Sequence, residues 1–180
     1  ATSQANAAVN ANANDILTTV TISTVDLTNT RSIAGGANGA DGLGIGPEAS
    51  PMLTITAAAG TTQRFILFVN NTAGVADSYD LDVSSVSNFS SGLPVGWTAV
   101  FTDTNGTVLT NTGAIAAGGS KRINADITIA AGNGPAPVDV FFRALSPTTG
   151  AMDRIHDSII VSARRSFAIV PNNSGQVVAG

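Results

Sequence analysis

No cysteine occurs in the 180 residues. That excludes a disulfide framework, thiolate metal ligation and thiol catalysis. Charge is scarce: 11% of residues are Asp, Glu, Lys or Arg, against roughly 25% in an average soluble domain. Lys121 is the only lysine and Glu48 the only glutamate. A surface made instead of Thr, Ser, Asn, Gly and Ala has little repulsion to keep copies apart, and it favours association. Aromatics are also sparse at 5%, so a core drawn from the 43% hydrophobic residues must be built mainly of Val, Ile, Leu and Ala. No apolar run approaches the ~18–20 residues needed to span a bilayer. The net charge of −4 and the want of a basic patch argue against nucleic acid, because Lys121-Arg122 and Arg164-Arg165 are isolated doublets.

What is present is β patterning. Between residues 57 and 146, apolar runs such as Phe65-Ile66-Leu67-Phe68-Val69 and Val138-Asp139-Val140-Phe141-Phe142 alternate with turn clusters about every ten residues. Short strands with regular turn signals indicate an all-β sandwich or barrel. Strands are expected over residues 16–27, 52–56, 63–70, 78–83, 97–102, 123–129, 138–145 and 157–162. Asn105-Gly106 reads as a type I′ hairpin turn, since Asn and Gly accept positive φ. In Leu93-Pro94-Val95-Gly96-Trp97, proline ends a ladder, glycine permits a sharp re-entry, and the one tryptophan enters a strand. Trp97, Tyr79, Phe65 and Phe141 are the expected core anchors. A similarity between residues 59–64 and 118–122 suggests two hairpin units facing each other across the sandwich.

The ends differ from the middle. Residues 1–15 read as an Ala/Asn-rich extended arm, residues 16–163 as the sandwich domain with a Gly-rich loop over 31–50, and residues 164–180 as a further strand and a linker-like tail. Within that tail Ser166, Phe167, Ala168, Ile169 and Val170 form an uncharged strand, a candidate for insertion into a neighbouring subunit. The small residues at the start are compatible with a cleaved export signal.

Little reactive chemistry appears. His156 is the only histidine; with no Gly-x-Ser-x-Gly elbow it reads as a surface strand residue, and an enzyme is not expected. One histidine and no cysteine cannot supply a zinc site. Calcium is the cofactor alternative: Asp77 with Asp80 and Asp82, or Asp41 with Glu48, offer hard oxygen ligands, but neither set completes a calcium-loop spacing, and solvated carboxylates are the expectation. The glycines between Gly35 and Gly46 lack the Lys-Ser/Thr of a phosphate loop. Asn70, Asn88, Asn105 and Asn172 begin Asn-x-Ser/Thr triplets.

From residue 59 to 161 the chain resembles the Ig-like repeat domains of bacterial and archaeal surface and S-layer-type proteins. The matching features are Asn70-Asn71-Thr72 before Asp77-Ser78-Tyr79, then Leu93-Pro94-Val95-Gly96-Trp97. Ala116-Ala117-Gly118-Gly119-Ser120 and Ala130-Ala131-Gly132 bracket the next strand, and Asp157-Ser158-Ile159-Ile160-Val161 closes the pattern. The resemblance implies a seven-stranded Ig-like antiparallel β-sandwich and an exported, structural role. Two functions follow as expectations. One is a secreted subunit of a cell-surface filament or sheath, a homopolymer joined by donor-strand addition. The other is an adhesive or spacer module of a larger surface protein, as in a biofilm, meeting glycan or protein.

Overall fold

The computed structural model describes residues 24–29, 46–132 and 134–162. The chain forms nine strands among these residues: β1 (Val25–Thr28), β2 (Thr54–Ala58), β3 (Thr62–Asn71), β4 (Asp80–Ser84), β5 (Thr98–Thr102), β6 (Val108–Leu109), β7 (Ser120–Thr128), β8 (Ala136–Leu145) and β9 (Met152–Ser162). They make an Ig-like β-sandwich. One sheet has the order β1-β3-β7-β5-β6 and the other β2-β9-β8-β4. The first is antiparallel throughout, whereas β2 lies parallel to β9, so the second sheet is mixed. The proposed arm of residues 1–15 and the inserted strand of residues 166–170 lie outside the described residues, as do Asp41 and most of the Gly-rich loop.

Period-two alternation explains the core. Phe65 and Leu67 of β3 pair with Ala125 and Ile123 of β7, and with Val69 and Ile127 on the same parity all six are fully buried. From the other sheet, Val140, Phe142, Ile155, Ile159 and Val161 close onto them. Phe142 stands 5.2 Å from Phe65 and 6.2 Å from Phe101, ring centre to ring centre. These tilted and edge-on contacts join the two sheets with the favoured quadrupole geometry. Trp97 is a buried member of this core. Its backbone N–H donates to the Pro94 carbonyl (2.9 Å) across Gly96, whose φ of 80° is the left-handed value a type II turn requires at its third position.

Three expectations change. Gly106 alone of the Asn105-Gly106 pair has positive φ (87°), so the hairpin is a three-residue loop with a glycine bulge, not type I′. The Asp103 carboxylate decides this by accepting the N–H groups of both Asn105 and Thr107 at 2.8 Å. The similar segments 59–64 and 118–122 do not face each other across the sandwich; β3 and β7 are antiparallel neighbours in one sheet. Phe141 is buried, but its parity is opposite to Phe142. It lies on the outer face of its sheet, stacked on His156 at 4.4 Å.

Candidate functional site

Each terminal strand of a sheet carries backbone donors and acceptors on its unpaired side, and native proteins protect such edges. The four edges of this sandwich are treated differently.

The edge of β4 is covered by the segment that crosses from β6. Asp77 bridges Ile115, Asp80 bridges Asn111, and the Leu81 N–H donates to the Thr110 carbonyl (2.9 Å).

The edge of β1 is met by carboxylates from the opposite sheet. Asp153 and Asp157 sit on β9 at the parity of Ile155, Ile159 and Val161, so they point into the sandwich, and both are almost completely buried. The Leu27 N–H donates to Asp153 Oδ2 at 2.7 Å, and Asn29 Nδ2 donates to Asp157 Oδ2 at 2.9 Å. A carboxylate here takes the place of a neighbouring strand. Burial pushes the Asp153 carboxyl up to about 7, aided by the nearby Asp26 and Glu48 charges and opposed by the N–H groups of Leu27 and Arg154. Desolvation outweighs the hydrogen bonds because the group has left water for a low-dielectric surrounding.

Residues 46–53 run beside β9 before β2 begins. Glu48 Oε2 accepts the His156 N–H (2.9 Å), Met52 N–H donates to the His156 carbonyl (2.7 Å), and Leu53 N–H donates to Asp157 Oδ1 (3.1 Å). Arg154 reaches from β9 to the carbonyls of Gly46 (2.8 Å) and Ser87 (3.2 Å), tying this strap to the loop after β4. A side chain at Gly46 would collide with the Arg154 carbonyl. Beneath the strap His156 is buried, not the surface residue its isolation in the sequence suggested. Its Nδ1 lies 3.0 Å from the Glu48 carbonyl and its Nε2 3.0 Å from Asp139 Oδ1. Both neighbours are oxygen atoms, one from the strap and one from β8. No serine hydroxyl occupies either position, and the ring is a bracket between strands.

Among the described residues, no strand covers the outer edge of β2. Its sequence, Thr-Ile-Thr-Ala-Ala, has no charge, no proline and a regular five-residue pairing to β9. Thr54 and Thr56 are exposed while Ile55 and Ala57 face the core. The stretch Thr98 to Val100 of β5 pairs with β7 on one side, and on the other no described strand continues past the two-residue contact with β6.

Of the calcium candidates, Asp41 lies outside the described residues, and Asp77, Asp80 and Asp82 each engage different partners. Asp77 accepts from Ser146 Oγ (2.9 Å), Thr149 Oγ1 (3.0 Å) and the Ser78 N–H (2.8 Å), and so fixes the β8–β9 turn. Asp80 holds Asn111 (2.7 Å), and Asp82 pairs with Arg143 (2.6 Å), whose guanidinium also sits 4.5 Å above the Phe89 ring. Among the described residues no group of three or more His, Cys, Asp or Glu side chains is arranged to hold a metal ion. The same residues contain no helix long and apolar enough to cross a membrane. Asp153 and Asp157 were not singled out in the sequence, although two aspartates four apart on an otherwise apolar parity are the available signal.

No family model matches the sequence, and no curated protein does. Solved structures with a similar chain path include a family 123 glycoside hydrolase from Clostridium perfringens (10% identity, TM-score 0.45), 62% of this chain against 23% of that one. The CupB2 chaperone of Pseudomonas aeruginosa is 14% identical at a TM-score of 0.42, with 63% and 54% covered. A PapD-like domain of human CEP192 is 13% identical at 0.38, with 69% and 99% covered. A hydrolase and a chaperone share no activity, and likeness at this level assigns none.

Proposed function

We propose that this chain is a secreted structural subunit that polymerises at the cell surface by passing a strand from one copy to the next. The observation that carries the reading is the β2 edge. One edge is covered by residues 110–115 and another is met by buried carboxylates, whereas no described strand lies beyond the five uncharged residues of β2. An edge of that kind is a template for pairing, and pairing by strand addition draws affinity from backbone hydrogen bonds and specificity from alternate side chains. The low charge and the lack of cysteine suit a durable polymer held by backbone contacts. Head-to-tail transfer does not close on itself, so it yields filaments. The donor candidates are residues 166–170 and the N-terminal residues 1–27.

Negative-stain electron microscopy of the full chain beside a version ending at Ala163 tests this. Filaments from the first and monomers from the second support donation by the C-terminal segment. Filaments from both assign the donor role to the N-terminal residues. Monomers from both overturn the polymer reading and leave the adhesive or spacer module.

A further inference from the structure

The β2 edge is electrically uneven along its length. Near its Thr54 end lie Glu48 in the strap and Asp157 on β9, which accepts the Leu53 N–H. Arg154, on the same strand, is held by the carbonyls of Gly46 and Ser87. At the Ala58 end the neighbours are Ala57, Gly60, Thr61, Ser162, Ala136 and Pro137, all uncharged. The tail carries the opposite asymmetry: Arg164-Arg165 immediately precede the uncharged residues 166–170. Charges within a Debye length of about 8–10 Å still feel one another, so direction decides whether the arginines meet carboxylates or neutral chain.

We propose that residues 166–170 of a second copy add to the β2 edge in parallel, with Ser166 beside Thr54 and Val170 beside Ala58, and with the arginine doublet against the Glu48 end. This deepens the strand-transfer reading and rests on it. The parity fits: Phe167 and Ile169 fall beside Ile55 and Ala57 on the core side, and Ser166 and Ala168 beside exposed Thr54 and Thr56. Parity alone fits an antiparallel strand equally well; charge selects the parallel one.

Direction also makes the contact intermolecular. β9 ends at Ser162, opposite Ala58. To place its own Ser166 beside Thr54, the chain must return about four residues along the sheet and cross two strand spacings, roughly 16 Å in all at ~3.3 Å per residue and ~4.8 Å per strand. Four residue steps span at most about 14 Å. Chain length allows a copy's own tail to meet this edge only in the antiparallel sense; the parallel sense requires a neighbour.

The absence of native cysteine allows a direct test. Adjacent strands lie about 4.8 Å apart, within the roughly 4.4–6.8 Å Cα separation a disulfide accepts. Two double variants of the full chain, Thr54→Cys with Ser166→Cys and Ala58→Cys with Ser166→Cys, are oxidised and run without reductant, with filaments checked by microscopy. A covalent ladder from the first pair alone is the expected result. A ladder from the second pair overturns the direction. A fast-migrating cross-linked monomer from either overturns the second copy. Filaments without any cross-link overturn the β2 edge as acceptor and leave strand transfer standing, whereas monomers without cross-links sink the underlying reading as well. Glu48→Lys in the first pair is expected to reduce ladder formation several-fold, with Glu48→Gln intermediate; an unchanged yield removes the charge argument.

Discussion

Two buried polar groups make opposite demands on the fold. Tyr79 is fully buried, and its hydroxyl has no hydrogen-bond partner among the described residues. Burial and the charge of Asp77 push that hydroxyl up to about 12, so it stays neutral, but an unsatisfied buried hydroxyl still costs about 1–3 kcal/mol. Tyr79→Phe keeps the ring and removes the cost; equal or greater stability than the parent in denaturant unfolding is the expected outcome. Asp153 is useful and costly together, because it holds Leu27 while its own charge is desolvated. Its folded value near 7 lies above the ordinary 3.8. The native chain therefore keeps a proton that the unfolded chain has lost, and stability falls as pH rises from about 4 to about 7. Asp153→Asn retains an acceptor for Leu27 and cannot ionise. Urea midpoints measured across that range should decline less in the variant than in the parent. Trp97 belongs to neither class: it is buried in a core short of aromatic volume, and Trp97→Ala should lose about 3–5 kcal/mol, read from far-UV circular dichroism during unfolding.

Strands whose inner positions are apolar were legible in the sequence. β3 and β8 appear within two residues of their observed limits, and β7 within three, because Phe65, Leu67, Ile123, Ile127, Val140 and Phe142 repeat with period two. β9 was read only from Asp157 onward, although it begins at Met152. Its first inner positions hold Asp153 and Asp157, so the alternation of apolar and polar residues vanishes where the strand meets β1. The parallel partnership of β2 and β9 was hidden for another reason: strands about a hundred residues apart in the chain carry no local signal of direction. The hairpin after β5 was located correctly, but its loop type depended on the Asp103 side chain. Asp103→Ala should therefore loosen that hairpin specifically. Faster hydrogen exchange at Asn105 and Thr107, with β3 and β7 unchanged, is the expected pattern. The edge position of β2 among the described strands was not legible at all, since an edge is defined by what fails to pair beside it.

At the scale of the whole molecule, the sandwich is protected unevenly. Its core is continuous across both sheets and includes residues from β1, β2, β3, β5, β7, β8 and β9, so strand addition at one edge joins a finished core instead of completing an unfinished one. That sets an expectation for the kind of polymer formed. A subunit that is already folded loses little chain entropy on assembly beyond the ordering of the donated segment, and its affinity rests on a short backbone ladder. Assembly should thus alter protection locally. In the version ending at Ala163, every second amide between Thr54 and Ala58 points away from β9 and should exchange within the fast class, while amides of Phe65, Leu67, Ile123 and Ile127 exchange with global unfolding. In filaments of the full chain, the fast amides of β2 should slow by orders of magnitude and the core amides should remain as they were. Slowing spread over the whole core, with β2 unchanged, would place the contact between copies elsewhere, with the exposed Thr98 to Val100 stretch of β5 the next edge to examine.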